Sequence, residues 1–146
     1  MIRLKDLLKE AKQVGTIYHF TTLGGLQSIL ESDVLRAQRD YISFTRNKSY
    51  YPWSTTVKIS VDGDKLSNHY KIEPYHDSEK LISGSDEAEE RVMKKQIQGI
   101  SKYVINIEIN TRKFKEFDKS LWKQGYYEFI QNTNKKHIPI SISLNN

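Results

Sequence analysis

Between Thr16 and Thr45 the hydrophobic pattern changes period twice, and nothing else in the chain constrains its fold as tightly. Thr16-Ile17-Tyr18-His19-Phe20 has the β-branched and aromatic content of a short strand. Leu23, Leu26, Ile29 and Leu30 then recur at helical spacing, which predicts a helix of roughly 22–31 capped by Thr21 or Thr22. Tyr41-Ile42-Ser43-Phe44-Thr45 reads as a second strand. Each element has an apolar side that must be covered by another layer. Strands and short helices continue to alternate along the chain without a regular βαβ rhythm. That pattern predicts an α+β fold, organised as a single domain over residues 1–146.

The remaining elements follow from the same patterns. Leu4, Leu7, Leu8 and Ala11 predict an amphipathic helix over 2–12, ended by Gly15. Thr56–Val61 alternates as a strand with one wet face, and Asp62-Gly63 signals a turn. Residues 66–75 read as irregular, and the polar stretch 76–86 as a mobile loop near a pocket mouth. Val92, Met93, Gln96, Ile97 and Ile100 predict a helix of about 86–100, capped by Ser85 or Asp86. Tyr103–Ile109 is the clearest strand, residues 120–131 read as a short helix and His137–Leu144 as a last strand.

Composition narrows the function classes. The chain has 146 residues and no cysteine, so neither a disulfide framework nor a thiolate metal site is available. No apolar run approaches the ~18 residues that a membrane span needs. MIRLKDLLKEAK lacks the apolar centre of a secretory signal, so a cytoplasmic protein without membrane contact is expected. Twenty-three basic residues against 18 acidic ones leave a formal charge of +5. That excess suits polyanionic partners such as nucleic acid, and equally serves solubility. Nine tyrosines and two tryptophans can fill a core or stack on a base or nicotinamide ring.

His19 ends a strand just before a helix N-terminus, among unpaired backbone N–H groups. Such a histidine either caps and packs, or holds a phosphate, ribose or carboxamide ligand. Gly24 and Gly25 would let a ligand approach the helix backbone closely. No Gly-x-Gly-x-x-Gly or Gly-Lys-Ser/Thr accompanies them, so they are not a phosphate-loop fingerprint. Glu87, Glu89 and Glu90 suit the macrodipole of a helix start, or chemistry. Asp62-Gly63-Asp64 is a turn rather than a calcium loop. His69, His76, Asp77 and Glu79 have no ligand spacing on an expected element, so no metal is expected. The basic residues at 112, 113, 115, 119, 123, 135 and 136 are scattered, and read either as a basic face or, in preference, as a solvated surface.

Ile17-Tyr18-His19-Phe20-Thr21, followed by Leu23, Leu26, Ile29, Leu30 and a second strand, resembles the N-terminal half of ADP-ribosyltransferase-fold proteins. It is most similar to the DarT-type DNA-modifying toxins and to related small phage-borne proteins. The resemblance covers about residues 16–47. It implies an ADP-ribosyltransferase-like split antiparallel sheet with short helices, and NAD as cofactor. His19 would grip the nicotinamide riboside, with Thr21 beside it. Ser43 and Thr45 would form the hydroxyl-bearing second motif. Arg46 would contact the pyrophosphate or the target. Glu87-Ala88-Glu89-Glu90 contains the Glu-x-Glu that the wider family uses at the bond-breaking step. Tyr50, Tyr51 or Trp53 would supply an aromatic shelf.

The implied activity is NAD-dependent ADP-ribosylation of a macromolecular acceptor, nucleic acid or protein. Two other functions fit the same residues. One is a non-catalytic phage-type protein that binds a host factor or nucleic acid on this scaffold. The other is a small nuclease using His19, Arg46 and a glutamate. His19 and Arg46 are expected to line one pocket. Of the glutamates, Glu89 is expected to point inward at the edge of the core and to matter most, with Glu90 leaning to solvent.

Overall fold

The computed structural model describes residues 14–50, 52, 55–74 and 89–143. The expected helix over 2–12 and the expected loop over 76–86 lie outside them. The described chain runs β1 (Thr16–Thr21), α1 (Leu23–Ser32), β2 (Val34–Arg36), β3 (Ile42–Thr45) and β4 (Val57–Asp62). It continues with α2 (Gly63–Ser67), β5 (Ile72–Pro74), β6 (Glu89–Val92) and β7 (Gln96–Gln98). After a 3₁₀ turn at Ile100–Lys102 come β8 (Val104–Asn110), a second such turn at Thr111–Lys113, α3 (Glu116–Lys123), α4 (Tyr126–Thr133) and β9 (Ile140–Ser143). This is the α+β class expected. Among the described residues no helix is long and apolar enough to cross a membrane.

Seven strands form one sheet in the order β5-β6-β3-β1-β4-β8-β9, and β2 pairs with β7 in a separate ribbon. The large sheet is antiparallel except at its end, where β9 runs parallel to β8. β1 is its spine. It pairs with β4 along its whole length, from Thr16↔Asp62 to Thr21↔Val57. Towards β3 it makes a single registered pair, Tyr18↔Thr45.

Because side chains alternate across a strand, this register separates two faces. Ile17, His19, Ile42, Phe44, Ile59, Val61, Ile107 and Ile109 share one face, and all but His19 belong to the core. α1 covers that core with Leu23, Leu26, Ile29 and Leu30. Its first turn is closed by Thr22, whose hydroxyl oxygen accepts from the Gly25 N–H at 3.1 Å. Its end is fixed by Asp33 in the left-handed region, with φ 55°. The Asp33 carboxylate accepts from the Ser101 N–H at 2.8 Å and from the Ser101 hydroxyl at 2.9 Å, tying α1 to the turn before β8.

Several expectations need correction. The helix expected over 86–100 is absent from the described part, 89–100. Glu89–Val92 is instead an interior strand, bonded to β3 on one side and β5 on the other. Two ladders of backbone hydrogen bonds override a local spacing that only imitated a helical stripe. Val92, Ile97 and Ile100 do reach the core, but from β6, β7 and a 3₁₀ turn, while Met93 is exposed. The helix expected at 120–131 is two helices, α3 and α4, broken at Gly125 with φ 92°. Asp62 does not merely turn the chain: it caps α2, its carboxylate accepting from the Lys65 N–H at 3.1 Å. Residues 72–74 of the stretch read as irregular form β5. The face of β4 expected to be wet carries Lys58, which is only 8 % exposed.

Candidate functional site

Beyond Tyr18↔Thr45, β1 and β3 make no further registered pair, and a cavity of about 630 Å³ lies there. It is walled by His19, Phe20 and Thr21 from β1, by Ser43, Phe44 and Thr45 from β3, and by the first turn of α1 at Thr22 and Gly25. Arg36, Gln38, Arg39 and Tyr41 close it on the side of the β2–β3 connection, and Tyr50 and Pro52 on the side of the loop after β3. Among the described residues lining it there is no Asp or Glu, whereas Arg36 and Arg39 bring two positive charges.

His19 and Ser43 meet at the opening. A carbonyl only accepts, so the His19 Nδ1–H donates to the Ser43 carbonyl, at 2.8 Å. This leaves Nε2 of the neutral ring as an acceptor. The ring also lies against Phe44, with centroids 5.6 Å apart. Burial lowers the imidazole pKa from its ordinary 6.5, and the bond to Ser43 offsets this only in part. The unfolded chain therefore takes up a proton at His19 before the folded chain does. Stability from this group is complete above pH 6.5 and falls as the pH drops through the lower folded pKa. Unfolding free energies from denaturant titrations between pH 7.5 and pH 5.5 should decline in the parent, with His19 contributing at most about 1.4 kcal/mol per pH unit. The decline should be shallower in His19→Gln; equal slopes would place the acid-sensitive group elsewhere.

The two glutamates of β6 diverge, as a strand requires. Glu89 pairs with Thr45 and shares a face with Ser43 and Arg91, whereas Glu90 pairs with Phe44 on the core face. Glu89 is 8 % exposed and both of its oxygens are met. Oε2 accepts from the Ser43 hydroxyl at 2.5 Å, and Oε1 takes the Arg91 guanidinium at 3.2 Å. A carboxylate this buried is tolerable because its charge and lone pairs are both answered. Arg91 is itself held over the Tyr41 ring, 3.9 Å from its centroid. Glu90 does not lean to solvent as expected: it is 6 % exposed, with the Arg46 guanidinium 3.5 Å away.

The structure thus brings His19, Thr21, Ser43, Thr45 and Tyr50 to one cavity, with Glu89 behind Ser43. It does not place Arg46, which is 54 % exposed, Glu89 or Glu90 on that cavity's wall, and Glu89 lies on the sheet face away from the core rather than pointing inward as expected. Glu87, Tyr51 and Trp53 lie outside the described residues. Sequence reasoning missed Arg36, Arg39, Tyr41 and Arg91. Tyr41 had been assigned to a strand, but only its spatial pairing with Arg91 reveals a role. Comparison with protein-family models, with curated proteins and with solved structures gave no match.

Proposed function

We propose that the chain is an NAD-dependent ADP-ribosyltransferase acting in the cytoplasm on a macromolecular target, nucleic acid or protein. One observation carries this reading. Ser43 joins the two groups that such chemistry needs: its carbonyl accepts from His19, and its hydroxyl donates to Glu89. The resemblance in residues 16–47 assigns those same positions to the ligand-gripping histidine and the hydroxyl-bearing motif. The cavity supports the reading in two ways. Its volume falls within the ~300–1,000 Å³ usual for small-molecule sites. Its arginines, with no described carboxylate in the wall, suit an anionic ligand such as a dinucleotide pyrophosphate.

The reaction needs few groups. The bond from ribose C1′ to the nicotinamide nitrogen breaks, nicotinamide leaves with the electron pair, and positive charge develops on the sugar. Glu89, behind Ser43 and outside the cavity wall, would act on that charge at a distance rather than by contact, and His19 Nε2 would accept from a ribose hydroxyl. A nucleophile of the acceptor then bonds to C1′ and gives up its proton. Tyr50, edge-on to Phe20 with centroids 6.0 Å apart, would offer the aromatic shelf.

Thermal unfolding with and without NAD tests the reading. NAD at a hundred times its Kd should stabilise the fold by about 2.7 kcal/mol. Nicotinamide release should follow when DNA, RNA or protein acceptors are added. No shift with millimolar NAD would overturn the proposal. Binding without nicotinamide release would favour a non-catalytic binding protein. Breakdown of nucleic acid without NAD would favour a nuclease.

A further inference from the structure

Lys58 is a buried charge that the proposed reaction leaves unused. It sits on β4 opposite Phe20 of β1 and Glu108 of β8, on the face of the sheet away from the core. Its Nζ donates to the Lys48 carbonyl at 2.7 Å and lies 4.5 Å from the centre of the Tyr18 ring. Lys48 belongs to the loop that follows β3, and that loop supplies Tyr50 and Pro52 to the cavity wall. A second lysine reaches the same loop. Lys113, in the turn after β8, donates from Nζ to the Pro52 carbonyl at 3.2 Å. Within the described part of the loop, Thr45 Oγ1 accepts from the Asn47 N–H, Asn47 Oδ1 from the Ser49 N–H, and the Asn47 carbonyl from the Tyr50 N–H.

We infer that Lys58 is a positioning residue for the cavity: its ammonium fastens the loop carrying Tyr50 and Pro52 through the Lys48 carbonyl, with Lys113 holding the far end. The inference rests on the reading of the cavity as the NAD site. Loop backbone is the part of a fold that most needs ties from outside itself to keep one geometry. A charge-assisted bond from a buried cation is a strong way to fix a backbone carbonyl. Holding the wall in place before the ligand arrives lowers the ordering cost of binding. Lys58 itself touches neither the ligand nor the reacting atoms, so its effect falls on affinity rather than on the bond-breaking step.

The charge on Lys58 gives the tie a pH signature. Burial lowers its pKa from the ordinary 10.5; Glu108 on β8 raises it and Lys48 in the loop lowers it. The Tyr18 ring on β1 adds its negative face. The ammonium is therefore lost earlier on alkaline titration than that of an ordinary lysine. Its bond to Lys48 weakens accordingly.

Lys58→Met keeps the buried stem and removes the charge. Hydrogen exchange at the Asn47, Ser49 and Tyr50 amides should be faster in Lys58→Met than in the parent at pH 7. NAD affinity should fall about tenfold, the loss of one charge-assisted hydrogen bond. Single-turnover rate at saturating NAD should stay within about twofold. The parent's affinity should decline on alkaline titration, while that of Lys58→Met stays flat. Unchanged loop exchange in Lys58→Met overturns the inference whether or not NAD binds, so its failure is separable from failure of the NAD reading. Should Lys58→Met fail to fold, Lys113→Met removes the second tie from a less buried position. It should loosen the same loop, and an unaltered loop in that variant counts against the inference equally.

Discussion

Glu89→Gln should bind NAD about as well as the parent and lose about 10²–10³ of its turnover, the scale of removing one preorganised electrostatic group. The amide keeps the shape of the side chain and can still accept from the Ser43 hydroxyl, which Glu89 meets at 2.5 Å. What disappears is the negative charge, needed most when the sugar becomes cationic. The variant also leaves Arg91 without its carboxylate partner, so some loss of stability will accompany it. Single-turnover nicotinamide release at saturating NAD, on protein shown to be folded by circular dichroism, separates the two effects. Glu90→Gln provides the contrast. Its carboxylate lies on the other face, against Phe44 and Arg46, and its loss should spare the chemical step. A dead Glu90→Gln beside an active Glu89→Gln would transfer the role to Glu90. Full activity in both would remove the glutamates of β6 from the mechanism.

Phe44→Ala should cost about 3–5 kcal/mol, as removal of a fully buried aromatic ring does. Phe44 is 1 % exposed and packs in the core beneath the cavity, beside the His19 ring. Against the ~5–15 kcal/mol that holds a domain of this size, such a loss approaches unfolding. Phe44→Leu preserves most of the volume and should lose under about 1.5 kcal/mol. Urea midpoints for the two variants decide the matter. A cost below 1 kcal/mol for Phe44→Ala would mean that the ring does not support the core as its burial indicates.

The parts of this fold that could be read from the sequence are those where one local pattern had one outcome. Leu23, Leu26, Ile29 and Leu30 have no partner but a core, and they fill it from α1. The β-branched and aromatic run at Ile42–Thr45 makes a strand wherever it lies. β6 was hidden because Val92, Met93, Gln96, Ile97 and Ile100 fall at helical intervals by coincidence. Its true partners, β3 and β5, are supplied by distant segments. The candidate site divides in the same way. His19, Thr21, Ser43 and Thr45 lie close together in sequence, and a motif can gather them. Arg91 acquires meaning only once Tyr41 and Glu89 flank it in space. Lys58 stood at a position that alternation alone assigned to water.

The opening between β1 and β3 has a consequence for how such a site can be kept. Continuing the register from Tyr18↔Thr45 would next set His19 opposite Phe44 and Phe20 opposite Ser43. Those rungs are not made, and the cavity is the space of the missing rungs. At Ser43 the imidazole supplies by side chain a bond that a ladder would have supplied by backbone. His19 thus acts as a wedge, satisfying the carbonyl while holding the strands apart. The hollow is an interruption of hydrogen bonding rather than a gap between side chains, so zipping the two strands together would erase it without any residue in its wall growing larger.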